Sequence, residues 1–195
     1  LPSGGWSVLL LSAMVAAAHS FYGLPACMKL YMLSDSSKTT YSIVLSVAGV
    51  LSFLTYPLYG RIVDKYGPLN CMLASSIAYS VYLPALASTG SLPVFMALWA
   101  IPIGSLQGLA MISMKAAISG QRVRAQTMAT IDGISGIVGS ISTLAAGRLM
   151  DILGLDKPLL ISATMTATTI PLILRLRRAL QPAGSTARTG THPPF

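Results

Sequence analysis

Four stretches of this chain contain no lysine, arginine, aspartate or glutamate: residues 1–28, 39–60, 66–114 and 158–174. Nothing else in the sequence limits the fold so sharply. A helix that crosses the hydrocarbon of a bilayer needs about 20 consecutive, mainly apolar residues at ~1.5 Å rise each. These runs supply them. Charged residues make up 9% of the 195 positions and hydrophobic ones 53%. A water-soluble domain carries about 25% charged side chains and could not cover its surface with so few. A soluble enzyme domain, a disordered chain and an ordinary nucleic-acid binder are excluded. An integral membrane protein remains.

The run 66–114 is too long for one span, and Ser88-Thr89-Gly90-Ser91-Leu92-Pro93 supplies a turn inside it. The sequence therefore predicts an all-α protein of six transmembrane helices: Ser7–Leu33, Tyr41–Tyr59, Pro68–Ala87, Leu92–Met114, Ala125–Ala146 and Pro158–Leu174. Pro25 is expected to kink the first. Barrel strands would alternate polar and apolar residues, whereas these runs are continuously apolar. Residues 1–178 form the transmembrane domain, with one repeat over about 7–87 and another over about 92–174. Residues 179–195, rich in Pro, Gly, Ser and Thr, are expected to be a disordered tail. A chain that begins with Leu1 is read as a piece of a longer protein. Cys27 and Cys71 are isolated, so no disulfide or metal spacing arises.

Loop charge sets orientation. Nine of the 13 basic residues (Arg61, Lys65, Lys115, Arg122, Arg124, Arg175, Arg177, Arg178 and Arg188) fall on one side and four (Lys29, Lys38, Arg148 and Lys157) on the other. Both termini are thus expected to be cytoplasmic, in a plasma or inner membrane. The same bias accounts for the net charge of +8 without a nucleic-acid partner.

One pattern occurs twice. Gly60-Arg61-Ile62-Val63-Asp64-Lys65-Tyr66-Gly67 follows the second helix, and Gly147-Arg148-Leu149-Met150-Asp151-Ile152-Leu153-Gly154 the fifth. Both read G-R-x-x-D-x-x-G, 87 residues apart, with three spans between them. An odd number of crossings puts the copies on opposite faces. A 3+3 inverted repeat is the build of half of a secondary transporter. Gly60 is expected to turn a loop at the helix end, and Asp64 to latch onto a base or a helix N-terminus.

The stretch from Tyr59 to Gly67 resembles the loop motif of the major facilitator superfamily, G-x-L-a-D-r-x-G-r-[kr]. Gly60, Asp64, Lys65 and Gly67 match. Ile62, Val63, Pro68 and Leu69 depart from it. The superfamily has twelve helices, so the resemblance implies that this chain is one six-helix half, and the eroded motif points to the carboxy-terminal one. It implies secondary active transport of a small solute by alternating access, with a coupling proton or ion, the lipid bilayer and the missing six-helix half as partners. It implies no enzyme and no cofactor. The alternatives are a membrane scaffold that moves nothing and a half-size carrier that works as a homodimer.

In the superfamily the first and fourth helices of each half line the cavity. That places His19 and Tyr22 on the first helix and Trp99 and Gln107 on the fourth as candidate solute contacts. Trp99, Ile103, Gln107 and Met111 recur at spacing four and should share a face. Asp132 lies within the fifth helix, about 12 Å along from Arg124. Either it is a proton- or substrate-linked carboxylate, or it pairs with Arg61 or Arg124 at the gate. Gly60, Arg61, Asp64, Lys65, Gly67 and Asp132 are the candidate gating residues. Gly104 and Gly108, and Gly133, Gly136 and Gly139, are expected to allow close helix approach. The two histidines and five acids assemble no hydrolytic constellation.

Overall fold

A computed structural model describes residues 5–119 and 124–180. Every described element is an α-helix: α1 Gly5–Leu33, α2 Lys38–Tyr66, α3 Pro68–Ser88, α4 Leu92–Trp99, α5 Ile103–Ile118, α6 Arg124–Leu153 and α7 Asp156–Leu180. Because α4 and α5 together make one span, six helical stretches are long and apolar enough to cross a bilayer.

The expected spans are all present, with three corrections. The fourth is broken at Ala100–Pro102. Pro102 has no N–H to donate and disfavours helical backbone before it. The spacing-four row therefore does not cross from Trp99 to Ile103 on one continuous helix. Secondly, the repeated motif is not a loop. The last turns of α2 and α6 run through both copies, because a helix satisfies its own backbone whether or not its side chains are charged. Gly60 is thus helical, and the turn comes at Gly67, where φ is 82° and ψ 150°. This backbone region belongs essentially to glycine. Thirdly, the last helix runs past Leu174 to Leu180, so Arg175, Arg177 and Arg178 are helical. Residues 181–195, with Arg188 and His192, and residues 120–123, with Arg122, lie outside the described residues. α1 passes through Pro25 without a break.

The repeat extends to backbone detail. Gly154, 87 residues after Gly67, has φ 81°. Each glycine N–H donates to the carbonyl four residues back, Gly67 to Val63 at 2.9 Å and Gly154 to Met150 at 3.0 Å. Their faces follow from α3. It starts at Gly67, and its 21 residues span about 30 Å. At its far end the Ala87 carbonyl accepts from Lys29 Nζ, which also reaches Asp156 at 2.6 Å, two residues beyond Gly154. The two turns thus lie at opposite ends of α3, as an inverted repeat requires.

Between the helices the interior is layered. One apolar cluster (Leu11, Val15, Val63, Met72, Met111, Met114) fills the end near Gly67, and another (Leu30, Val44, Leu83, Leu86, Phe95, Leu159) fills the end near Gly154. A polar belt separates them. In it Thr169 Oγ1 donates to Ser76 Oγ at 3.2 Å and Gln107 Nε2 to the same oxygen at 3.5 Å; Ser162 Oγ donates to the Ala18 carbonyl at 2.7 Å at the level of Leu159, and Ser135 Oγ to Ser12 Oγ at 2.9 Å at the level of Leu11. Such interhelical bonds contribute roughly 0.6 kcal/mol each in a bilayer, where close packing does most of the associating. α1 packs on α6 and α7, and α3 on α5 and α7. α2 and α6 stay open: two of 29 residues are buried in α2, Val44 and Val63, and three of 30 in α6, Ile131, Ser135 and Ala146.

Candidate functional site

Two cavities are each bordered by both α1 and α5. The first, about 440 Å³, opens between α1, α2, α3 and the α4–α5 break. Its wall is aromatic. Tyr22 has its ring centroid 5.7 Å from Trp99, 6.0 Å from Tyr79 and 6.4 Å from Tyr82. Trp99 in turn stacks on Phe95 at 5.8 Å and 17°, which holds the indole in place. The break at Pro102 turns this end of the fourth span, and Ile101, Pro102, Gly104 and Ser105 all border the cavity. Gly104 lies close beneath this wall: a Cβ there would sit 2.8 Å from the Tyr79 hydroxyl, which would have to shift.

The second cavity, about 370 Å³, lies between α1, α5 and α6. Where the first is aromatic, this one has polar and charged side chains set in an apolar wall: Ser12, His19, Gln107, Lys115, Asp132 and Ser135 line it together with Val15, Ala16, Met111 and Ile112. Lys115 and Asp132 form an ion pair in which the lysine side chain is 9% exposed and the aspartate 58%. The partner of Asp132 is thus Lys115, on α5, and not Arg61 or Arg124. Arg124 instead donates to the Ala116 carbonyl at 3.2 Å, near the end of α5. Gly139 brings α6 against α1, where a Cβ would lie 3.3 Å from Ser20 Oγ. At Gly108, Gly133 and Gly136 a Cβ would meet nothing within 4 Å, so the glycine runs make fewer close approaches than their spacing suggests.

The four expected cavity residues are therefore divided. Tyr22 and Trp99 face the aromatic cavity, and His19 and Gln107 the polar one. Tyr79 joins the two sets, because its ring meets His19 edge-on at 5.6 Å. Of the expected gating residues, Arg61, Asp64 and Lys65 are exposed on the last turns of α2, and Lys65 Nζ lies 5.2 Å from the Tyr66 ring centroid. Among the described residues the ion pairs are Lys29–Asp156 and Lys115–Asp132, and neither includes Asp64. Sequence reasoning missed Tyr79, Tyr82, Lys115 and Ser135. The signal for the tyrosines was present in their spacing of three on one helix face.

The family model described as the Major Facilitator Superfamily matches residues 9–195, and the chain belongs to that superfamily. Its members are non-catalytic transporters, so the chain is not an enzyme. No curated protein and no solved structure matches it.

Proposed function

We propose that this member of the superfamily is one half of a secondary carrier that moves a small solute by alternating access. The observation that carries this reading is the pair of turns related by the repeat at opposite ends of α3, beside cavities bordered by α1 and α5. In carriers built from inverted repeats, solute sites lie near the midplane between repeats. The layered interior supports that site, because the polar belt with His19 and Gln107 lies between two apolar clusters. The proposed solute contacts are His19 and Gln107 in the polar cavity and Tyr22 and Trp99 in the aromatic one. Gly60, Arg61, Asp64, Lys65 and Gly67, with Asp132, act where the carrier opens and closes. The open faces of α2 and α6 receive the missing six-helix unit, here read as the amino-terminal one. Positive-inside bias puts the Gly67 end and both termini in the cytoplasm.

The test is flux. The chain, alone and with a co-expressed preceding half, is reconstituted in liposomes and screened for counterflow of labelled solutes. Saturable flux that falls at least tenfold in His19→Ala, Gln107→Ala or Trp99→Ala is expected. Flux unchanged in all three refutes the cavity assignment. No flux from folded protein in either arrangement refutes transport and leaves the scaffold, and flux from the chain alone identifies a homodimeric carrier.

A further inference from the structure

The polar cavity already holds a carboxylate on its ammonium, and the two members of that pair are unequal. Lys115 is fixed and buried, at 9% side-chain exposure, whereas Asp132 is 58% exposed on the open face of α6. Taking an acceptor away from a buried cation is costly. Letting an exposed carboxylate swing into water costs little. The pair can therefore exchange in one direction only: Lys115 must keep an anion, and Asp132 can be replaced. The lining adds little that would compete with an anion. Ser12, Ser135, His19 and Gln107 border the same cavity, with Ser135 Oγ donating to Ser12 Oγ and Gln107 Nε2 to Ser76 Oγ, and Asp132 is the one acid in that lining. A cavity of about 370 Å³ is at the small end of the ligand range.

We propose that this cavity binds a small organic carboxylate, which displaces Asp132 from Lys115. Asp132 acts as the stand-in anion that fills the site when solute is absent. The inference rests on the transport reading above and names its substrate class. Asp132 competes with the ligand, so the apparent affinity is the intrinsic one multiplied by the fraction of time that Lys115 is free of Asp132. If that fraction is about one-tenth, removing the competitor tightens binding about tenfold.

The experiment uses the full chain in nanodiscs, with binding read by thermal shift and calorimetry. Acetate, lactate, succinate and benzoate are the anionic probes, and glucose and choline the comparators. Expected are saturable binding of at least one anion, loss of more than tenfold in Lys115→Met, retention in Lys115→Arg and in the exposed Lys157→Gln, and about tenfold tightening in Asp132→Asn. A purely structural ion pair predicts no tightening. Absence of anion binding in both wild type and Asp132→Asn overturns the proposal, and so does binding that Lys115→Met leaves intact. Should Lys115→Met not fold, Asp132→Asn decides alone: unchanged or weaker affinity overturns the proposal. Succinate binding without flux in liposomes would refute transport and leave the anion site standing. Flux of choline or glucose without anion binding would do the reverse.

Discussion

The second ion pair yields a prediction whose sign and size both follow from burial. Lys29, at 10% side-chain exposure, donates to the Ala87 carbonyl and reaches Asp156, which is 59% exposed, at 2.6 Å. Breaking a fully buried pair by removing one partner costs about 3–5 kcal/mol, and exposed pairs contribute about 0.2–1 kcal/mol. With one partner buried and the other half exposed, the coupling should be about 2 kcal/mol. Asp156 also sits in the first turn of α7, where a negative charge gains about 0.5 kcal/mol from the helix dipole. Asp156→Ala should therefore cost about 2.5 kcal/mol in the wild-type background. Lys29→Met orphans the Ala87 carbonyl but leaves Asp156 near solvent, for about 1 kcal/mol.

The decisive quantity is the double variant. In the Lys29→Met background the buried ammonium is gone, and Asp156→Ala should cost only the dipole share. Thermal unfolding of the four proteins in nanodiscs measures this cycle. At about 2–4 °C per kcal/mol for a chain of this size, Asp156→Ala should lower Tm by about 5–10 °C in wild type and by about 2 °C or less beside Lys29→Met. Additive losses would refute the reasoning, because they would show that Lys29 and Asp156 do not share one interaction.

Two further substitutions separate glycines that look alike in the sequence. Gly67→Ala places a Cβ at φ 82° and should destabilise by about 1–3 kcal/mol, whereas Gly60→Ala, helical with nothing within 4 Å of the new methyl, should stabilise by about 0.5–1 kcal/mol; equal signs in a denaturation assay would contradict the placement of the turn. Gly104→Ala should cost about 1–3 kcal/mol through its 2.8 Å clash with the Tyr79 hydroxyl. Tyr79→Phe in the same chain should recover most of that, and failure to recover would put the clash elsewhere.

The six spans and their inverted pairing were legible because both depend on local pattern: apolar run length, and a motif repeated at 87 residues. The same charges that mark span ends misled the reading of detail. Arg61, Asp64 and Lys65 suggested a loop, but a helix can run past the hydrocarbon and expose charged turns, and α2 does so to Tyr66. Treating Lys29 and Lys115 as edge markers hid their burial. Their partners are also non-local, 127 residues away for Asp156 and 17 for Asp132, and no periodicity reports such a pairing. The break at Pro102 was visible as a residue but was overridden by the spacing-four row from Trp99 to Met111. The division of the site into an aromatic and a polar cavity follows from that break and from helix packing, neither of which is written in spacing.

The repeat also explains why the chain has two buried lysines, and why only one of them borders the polar cavity. α1 begins at Gly5 and α4 at Leu92, an offset of 87; Lys29 and Lys115 are 86 apart. Each therefore lies near the C-terminal end of the first span of its triplet, where the helix dipole favours a cation. The backbone repeats this preference at both ends of the bundle, but the counter-charges do not repeat. Lys29 is held by a backbone carbonyl and a carboxylate from α7, whereas Lys115 has Asp132 of α6 as its single acceptor among the described residues. An anion entering at Lys29 would have to break one more hydrogen bond, worth about 1 kcal/mol or several-fold in affinity. The scaffold is thus symmetric and the exchangeable site is not. Lys29→Met should accordingly lower stability while leaving the succinate affinity of folded protein within twofold, and a tenfold loss of affinity there would move the anion site to the opposite end of the bundle.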